Sequence, residues 1–348
     1  MNILDNALYK EDIQKCTNID IDWQKLENQS ILITGASGLI GSFLIDVLMH
    51  KDINCKIYAL GRNLEKAKNR FEAYWENENF EFIAADINEG LKVDVDVVDY
   101  VIHAASNTHP VQYAEDPIGT VITNVIGTKN ILDFATVHQT KRVAFLSSVE
   151  VYGENRGDCE RFEEEYCGYI DCNTMRAGYP ESKRAGEALC QAYIKQNHLD
   201  IVIPRLPRTY GPTMLKTDSK AIAQFIKKGI AKEDVILKSE GNQFYSYCYV
   251  ADTVTGILYC LAEGACGVAY NVADEASDIL MKDLAKTIAD YAGTQVVFEI
   301  PDQTESAGYS KATIAVMDGS KLQTLGWKAS YSMKEGLERT ISILRDVW

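Results

Sequence analysis

From residue 30 onward, short apolar runs alternate with stretches in which apolar residues recur every three or four positions. Ser30–Thr34 (SILIT) is one such run and ends at a glycine; Leu39–Leu48 then sets Ile40, Phe43, Leu44 and Val47 on one helical stripe. The pattern predicts strand, turn, helix. It repeats, with strands expected at Cys55–Leu60, Phe80–Ala85, Tyr100–His103, Val143–Leu146 and Ile201–Arg205, and helical patterns between most of them. Alternation of this kind predicts an α/β fold with a doubly wound parallel sheet, covered by helices on both faces and joined by right-handed crossovers.

After about Leu206 the rhythm changes. A Pro/Gly turn (Leu206–Pro212) leads into a helix-like run at Ala221–Ile230, the segment Gly241–Val250, a helix within Tyr249–Ala262, and further helices near Met281–Ala292 and Met333–Leu344. The expected organisation has three parts. Residues 1–28, polar and poor in apolar residues, form a leader or cap; 29–206 with about 245–275 form the sheet domain; about 207–244 with 276–348 form a smaller C-terminal α/β domain. No internal repeat or low-complexity linker separates them, so they are expected to pack around a cleft.

The first strand-to-helix turn carries candidate chemistry. In Gly35-Ala36-Ser37-Gly38-Leu39-Ile40-Gly41, the first glycine permits a tight turn, the second lets backbone N–H groups approach a pyrophosphate, and the third allows close helix packing. The helix N-terminus then faces phosphate. A dinucleotide is therefore expected here. The second strand ends in Gly61-Arg62-Asn63 where an acidic residue would accept from a ribose 2′-hydroxyl, so Arg62 leans the expectation from NAD toward NADP, unless it only stacks on adenine. Asp86 and Ile87, closing the third strand, are expected near the adenine.

Tyr179 and Lys183 are four residues apart, hence on one helical face. A nearby ammonium is expected to lower the phenol's pKa and make it a general base, while the lysine also holds the nicotinamide ribose. Ser148, at the end of the fifth strand, can bond the oxygen that Tyr179 deprotonates. These residues, with Ala104-Ala105-Ser106 after strand four, Asp116-Pro117, Asn124, Gly127-Thr128, Arg208-Thr209-Tyr210-Gly211-Pro212, Ser320-Lys321-Leu322 and Leu325-Gly326-Trp327, resemble the extended short-chain dehydrogenase/reductase family over about residues 29–345. The resemblance implies a Rossmann-type fold with a smaller substrate domain, and an NAD(P)-dependent enzyme that oxidises a sugar, usually at C4, transforms the ketone and returns the hydride. Ala104, Ala105, Ser106 and Asn124 are then cofactor-binding, and His109 contacts cofactor or substrate. It also implies a homodimer through a four-helix interface.

Within the family, Gly168-Tyr169-Ile170-Asp171, Arg176, Glu181 and Lys183-Arg184 resemble the UDP-glucuronate decarboxylases, and Glu150 sits where those enzymes keep a catalytic glutamate. Two departures complicate this lyase reading. Val149 replaces a second hydroxyl, as in isomerising 4-epimerases, and Tyr245 stands where many relatives place a substrate-clamping arginine. The segment 301–310 likewise lacks an arginine, which leaves Arg205, Arg208, Lys216, Lys220 and Lys311 as candidate replacements. The expected substrate is a small molecule, a nucleotide sugar, contacted by His109, Arg176, Arg208 and Tyr245. Two other readings stand beside it: an NADP-dependent oxidoreductase on a non-nucleotide alcohol or ketone, and a non-catalytic dinucleotide sensor.

Composition bounds the partners. The chain has 348 residues, 35 Lys plus Arg against 50 Asp plus Glu, and a formal net charge of −15, which disfavours nucleic acid and anionic membrane surfaces. With no signal-like or membrane-length apolar run, a cytoplasmic location is expected. Nine cysteines without a paired spacing suggest buried reduced thiols rather than disulfides, and no ligand spacing suggests a metal; the acidic run Asp158–Glu165 is expected to be a solvated face.

Overall fold

The computed structural model describes residues 2–51, 53–91, 93, 95, 97–107, 115–299 and 313–348. His109, Lys311 and the segment 301–310 lie outside the described residues.

Strands β1 (Ser30–Thr34), β2 (Lys56–Gly61), β3 (Phe80–Ala84), β4 (Tyr100–His103), β5 (Arg142–Phe145), β6 (Ser147–Ser148) and β7 (Ile201–Leu206) build a parallel sheet with Ala269–Asn271 (β11). The order is β11-β7-β5-β4-β1-β2-β3, with β6 continuing alongside β7. Every pairing in it is parallel. The three-residue β11 is too short for a periodicity signal and was not anticipated.

The pleat splits the core in two. Ile31 and Ile33 face an apolar layer made with Phe43, Leu44 and Val47 of the glycine-turn helix (Leu39–His50) and with the helix Val250–Glu263. Leu32 faces the opposite layer, with Val101, Val143, Phe145 and Ile131, beneath the helices Thr128–Val137 and Gly178–Asn197. Apolar residues on both faces of β1 make all five of its positions buried, which is what a strand covered on both sides requires.

Residues 1–28 do more than cap the fold. The helix Ala7–Thr17, capped by Asn6, buries Tyr9, Ile13 and Cys16. Tyr9 packs edge-on against Phe43 and donates to Asp46 on the glycine-turn helix, an aspartate also paired with Arg70. Few apolar residues suffice because Asp12, the one buried charged residue of the segment, and the Tyr9 hydroxyl both find partners inside the fold.

Beyond β7 the chain forms β8 (Arg208–Tyr210), β9 (Val235–Leu237), β10 (Phe244–Tyr249), β12 (Asp278–Leu280), β13 (Val296–Phe298) and β14 (Ile314–Ala315), with helices Ala221–Ala231, Met281–Ala292 and Met333–Val347. β10 is central: it pairs with β8, β12 and β14, while β9 pairs with β13. β8 follows β7 after a single residue, so the large sheet hands directly to the smaller one and fixes the walls between them.

Two other expectations change. Cys167, Cys172 and Cys266 are exposed, although all nine cysteines are free thiols. The acidic run is partly anchored: Phe162 is fully buried, the Glu164 side chain is 6% exposed beside Lys321, and Glu165 also pairs with that lysine. Among the described residues no helix is long and apolar enough to cross a membrane.

Candidate active site

Strand order reverses at β1, whose neighbours are β4 and β2, and open α/β sheets bind ligands outside the carboxyl ends of the strands at such a point. Three of the sequence-predicted glycines make the crevice there. Gly35 has φ +68°, and a Cβ on it would lie 2.9 Å from the Ala104 carbonyl and the Ala105 nitrogen, so the turns after β1 and β4 can only meet if residue 35 is glycine. A Cβ at Gly41 would lie 2.5 Å from the Gly35 oxygen. The Ala105 nitrogen donates to Thr34 Oγ1 at 3.0 Å, locking the two turns together. Gly38, extended at φ −81°, begins the helix with no side-chain cap, which leaves its first N–H groups to a ligand.

A cavity of about 1090 Å³ opens from this turn to the smaller sheet. It is lined by Gly35, Ser37, Gly38, Leu39, Ile40 and Gly41, by Arg62, Asp86 and Ile87, by Ala104, Ala105 and Ser106, and by Ser148, Glu150, Arg176, Tyr179, Lys183, Arg208 and Tyr245. The structure thus gathers most of the expected site residues in one place. Asn124 is the exception. It is buried behind the wall, in a π-helical turn (Thr123–Gly127), donating to Ser182 Oγ at 2.8 Å and accepting from Ser106 Oγ at 2.7 Å. Its amide holds the hydroxyls of Ser106 and Ser182.

Tyr179 opens the helix Gly178–Asn197 and is 8% exposed. Its hydroxyl hydrogen-bonds with Ser148 and Ser106. Burial pushes its pKa up to about 12; the bond with Ser148 opposes this, the Glu150 carboxylate adds to it, and the bond with Ser106 opposes it. The expected lowering by Lys183 is absent; its Nζ donates to the Leu146 carbonyl at 2.8 Å. Lys183, 4% exposed, is itself pulled down to about 8 by burial, with Glu187 acting against the fall. Desolvation outweighs proximity at both groups. His103, beneath them, is held neutral, its pKa lowered to about 3 by burial and by Lys183, and bridges Thr34 and Thr128.

The substrate side separates the candidate cations. Arg208 lies over the Tyr245 ring, 3.6 Å from its centroid, with Nη2 3.6 Å from Glu150. Arg205 is structural: it pairs with Glu187 and donates to Tyr152 and to the Glu164 carbonyl. Lys216 donates to the Trp348 carbonyl instead of the cavity. Lys220 does line it, joined by Lys66, Lys228 and Lys238, which sequence reasoning missed. Lys66 had a signal, standing four residues after Arg62; Lys228 and Lys238 had none, since their convergence depends on how β9 and the helix Ala221–Ala231 fold back.

Comparison with known proteins agrees with this geometry. The chain is 31% identical to UDP-glucuronic acid decarboxylase 6 of Arabidopsis thaliana over 89% of its own length and 87% of the relative's. It is 31% identical to UDP-glucuronic acid decarboxylase 1 of Xenopus tropicalis over 92% of its length and 73% of the relative's. In fold it is similar to the UDP-glucuronic acid 4-epimerase of Bacillus cereus, solved with UDP-glucuronic acid and NAD, with a TM-score of 0.78 at 22% identity over 92% of this chain and 100% of that one. An epimerase from Methanothermobacter thermautotrophicus gives a TM-score of 0.81 at 20% identity over 98% and 96% of the two chains. Residues 31–273 match the model of the NAD dependent epimerase/dehydratase family, and the chain belongs to that family.

Proposed function

We propose that this enzyme decarboxylates UDP-glucuronate through a transient 4-keto sugar. The observation that carries the proposal is the placing of Tyr179, Ser148 and Glu150 in the same cavity as the glycine cradle. The residues present fit a nicotinamide dinucleotide: the cradle would be closed by any Cβ at 35 or 41, and the helix Leu39–His50 begins with no side-chain cap, which leaves its first N–H groups to a pyrophosphate. Such a cofactor, when bound, supplies reversible hydride exchange with a carbinol carbon.

The chain's own residues handle the proton. Ser148 and Ser106 hold the Tyr179 oxygen, and Tyr179 takes the proton of a substrate hydroxyl and later returns it. Unassisted, a phenol at about 12 stays protonated near neutral pH and so is not ready to accept the proton. Charge brought close to it on ligand binding, Lys183 included, is what would lower it. Glu150, half-buried beside Arg208, is placed to handle charge or protons at the neighbouring carbon. A 4-ketone makes the uronate a β-keto acid, which loses carbon dioxide readily.

UDP-glucuronate should release carbon dioxide and UDP-xylose with no net accumulation of NADH or NADPH. Absence of turnover overturns the proposal. A 4-epimerase is the second reading, favoured by Val149, a buried apolar side chain between Ser148 and Glu150; it predicts a C4-inverted UDP-sugar with the carboxylate retained. We further read Arg62 and Lys66 as a pair suited to a 2′-phosphate, so NADP is the proposed cofactor. The helical run Pro117–Val137 exposes Ile118 (76%), Ile122 (40%) and Ile126 (38%) at four-residue spacing, a stripe we assign to a second copy of the chain in a homodimer.

A further inference from the structure

We propose that Arg208, held by Tyr245, receives a carboxylate on the reacting sugar ring, so that the site selects acidic over neutral nucleotide sugars. The inference rests on the nucleotide-sugar reading above and adds to it the group that recognises the acid.

Arg208 opens β8 and stands opposite Tyr247 of β10, which places Tyr245 diagonally beside it on the same face of the sheet. The guanidinium packs over the Tyr245 ring at 3.6 Å, a cation–π contact that fixes its plane. Its Nη2 is 3.6 Å from Glu150 Oε1, close enough for charge attraction and too far for a good hydrogen bond. Its Nη1 is buried and has no hydrogen-bond partner among the described residues. Arg205, Arg142 and Arg70 differ, each donating to a carboxylate.

A desolvated guanidinium N–H without an acceptor is costly; Arg208 lines the cavity, and a small turn of the guanidinium over the Tyr245 ring would give that N–H a carboxylate there, which its forked donors match. The position of the acceptor follows from Glu150, whose charge acts on the Tyr179 phenol. Arg208 therefore serves the reacting end of the cavity.

The test titrates the protein saturated with NADPH, which cannot take up the substrate's hydride, with UDP-glucuronate and with UDP-glucose by calorimetry. Wild type should prefer the acid by at least about tenfold. Arg208→Ala should weaken UDP-glucuronate by about 10- to 100-fold, the loss expected for charge-assisted bonds, and UDP-glucose by less than about threefold. Arg208→Lys, which keeps the charge and loses the fork, should fall between. Tyr245→Leu should cost about three- to tenfold for the acid alone, and nothing further when Arg208 is already alanine. Equal losses for both sugars would put Arg208 on the diphosphate and overturn the carboxylate assignment while leaving the nucleotide-sugar reading intact. Wild type that binds neither sugar would overturn both.

Discussion

Asp12 offers a sharp test of how the first 28 residues belong to the fold. Its carboxylate, fully buried, accepts from the hydroxyls of Tyr249 and Tyr331 and from Arg339 Nε at 2.7 Å. Arg339 also donates to the Leu8 carbonyl, so the network ties the N-terminal helix to the end of β10 and to the last helix. Asp12→Asn keeps the shape but offers one acceptor oxygen where three donors converge, and turns an amide N–H toward one of them. Removing one partner of a buried ion pair costs about 3–5 kcal/mol. With unfolding entropy near 2.1 cal/mol/K per residue, a chain of 348 residues loses about 1 °C of Tm per 0.7 kcal/mol, so a fall of about 4–7 °C is expected if unfolding is a single transition. Circular dichroism melts would measure it, with the exposed Asp5→Asn as control, expected to change Tm by less than about 1 °C. An Asp12→Asn melt within about 1 °C of wild type would refute the claim that this network fastens the N-terminal helix.

Gly41→Ala places a Cβ 2.5 Å from the Gly35 oxygen, and should destabilise by about 1–3 kcal/mol while weakening dinucleotide binding at least tenfold by calorimetry. Unchanged binding would mean that the helix does not need its close approach. Tyr179→Phe should lower turnover by about 10²- to 10⁴-fold with substrate affinity changed only a few-fold; a large affinity loss with turnover kept would remove Tyr179 from proton transfer. Arg62→Ala should weaken NADP much more than NAD, and equal effects on both would send Arg62 to the adenine. Asp252 carries a pH prediction: burial raises its carboxyl from 3.8 to about 7, so the folded chain keeps a proton that the unfolded chain releases between those values. Its stabilising contribution is complete below that window and is lost as pH rises through about 7, and urea unfolding of Asp252→Asn from about pH 4 to 8 should show a flatter profile than wild type.

The parallel sheet was legible because each of its first strands is a short apolar run, β1 and β4 matching their expected bounds residue for residue. The site was legible where its parts are local: a glycine turn needs only seven consecutive residues, and Tyr179 and Lys183 need only a helix. What escaped depends on distant segments meeting. The N-terminal helix looked like a polar leader because its anchors are charged or hydroxylated, and Asp12 finds its partners more than 230 residues away. The direction of the Tyr179 shift was misjudged for the same reason. Spacing reveals that a lysine is near, but not that both groups are desolvated or that the lysine is turned toward Leu146.

The net charge of −15 poses a problem for an enzyme whose proposed ligands are all anions. Burial and geometry resolve it locally. The cavity lining carries eight Lys and Arg residues against three carboxylates, Asp86, Glu150 and Asp218. Of these cations Lys220 pairs with Asp218 and Lys228 with Glu233, so from a distance the two are neutralised. At physiological salt a field decays over about 8 Å, and a ligand inside the cavity therefore responds to the lining more than to the acidic exterior. The backbone adds to this without any net charge, through the N–H groups that begin the glycine-turn helix. An acidic surface and an anion-binding interior are thus compatible, because the surplus of carboxylates lies largely outside the cavity. The arginines that the family resemblance leads one to expect at 245 and in 301–310 are then not needed for bulk attraction; what they would have supplied is direction, which the proposed role of Arg208 on Tyr245 would supply at the reacting end.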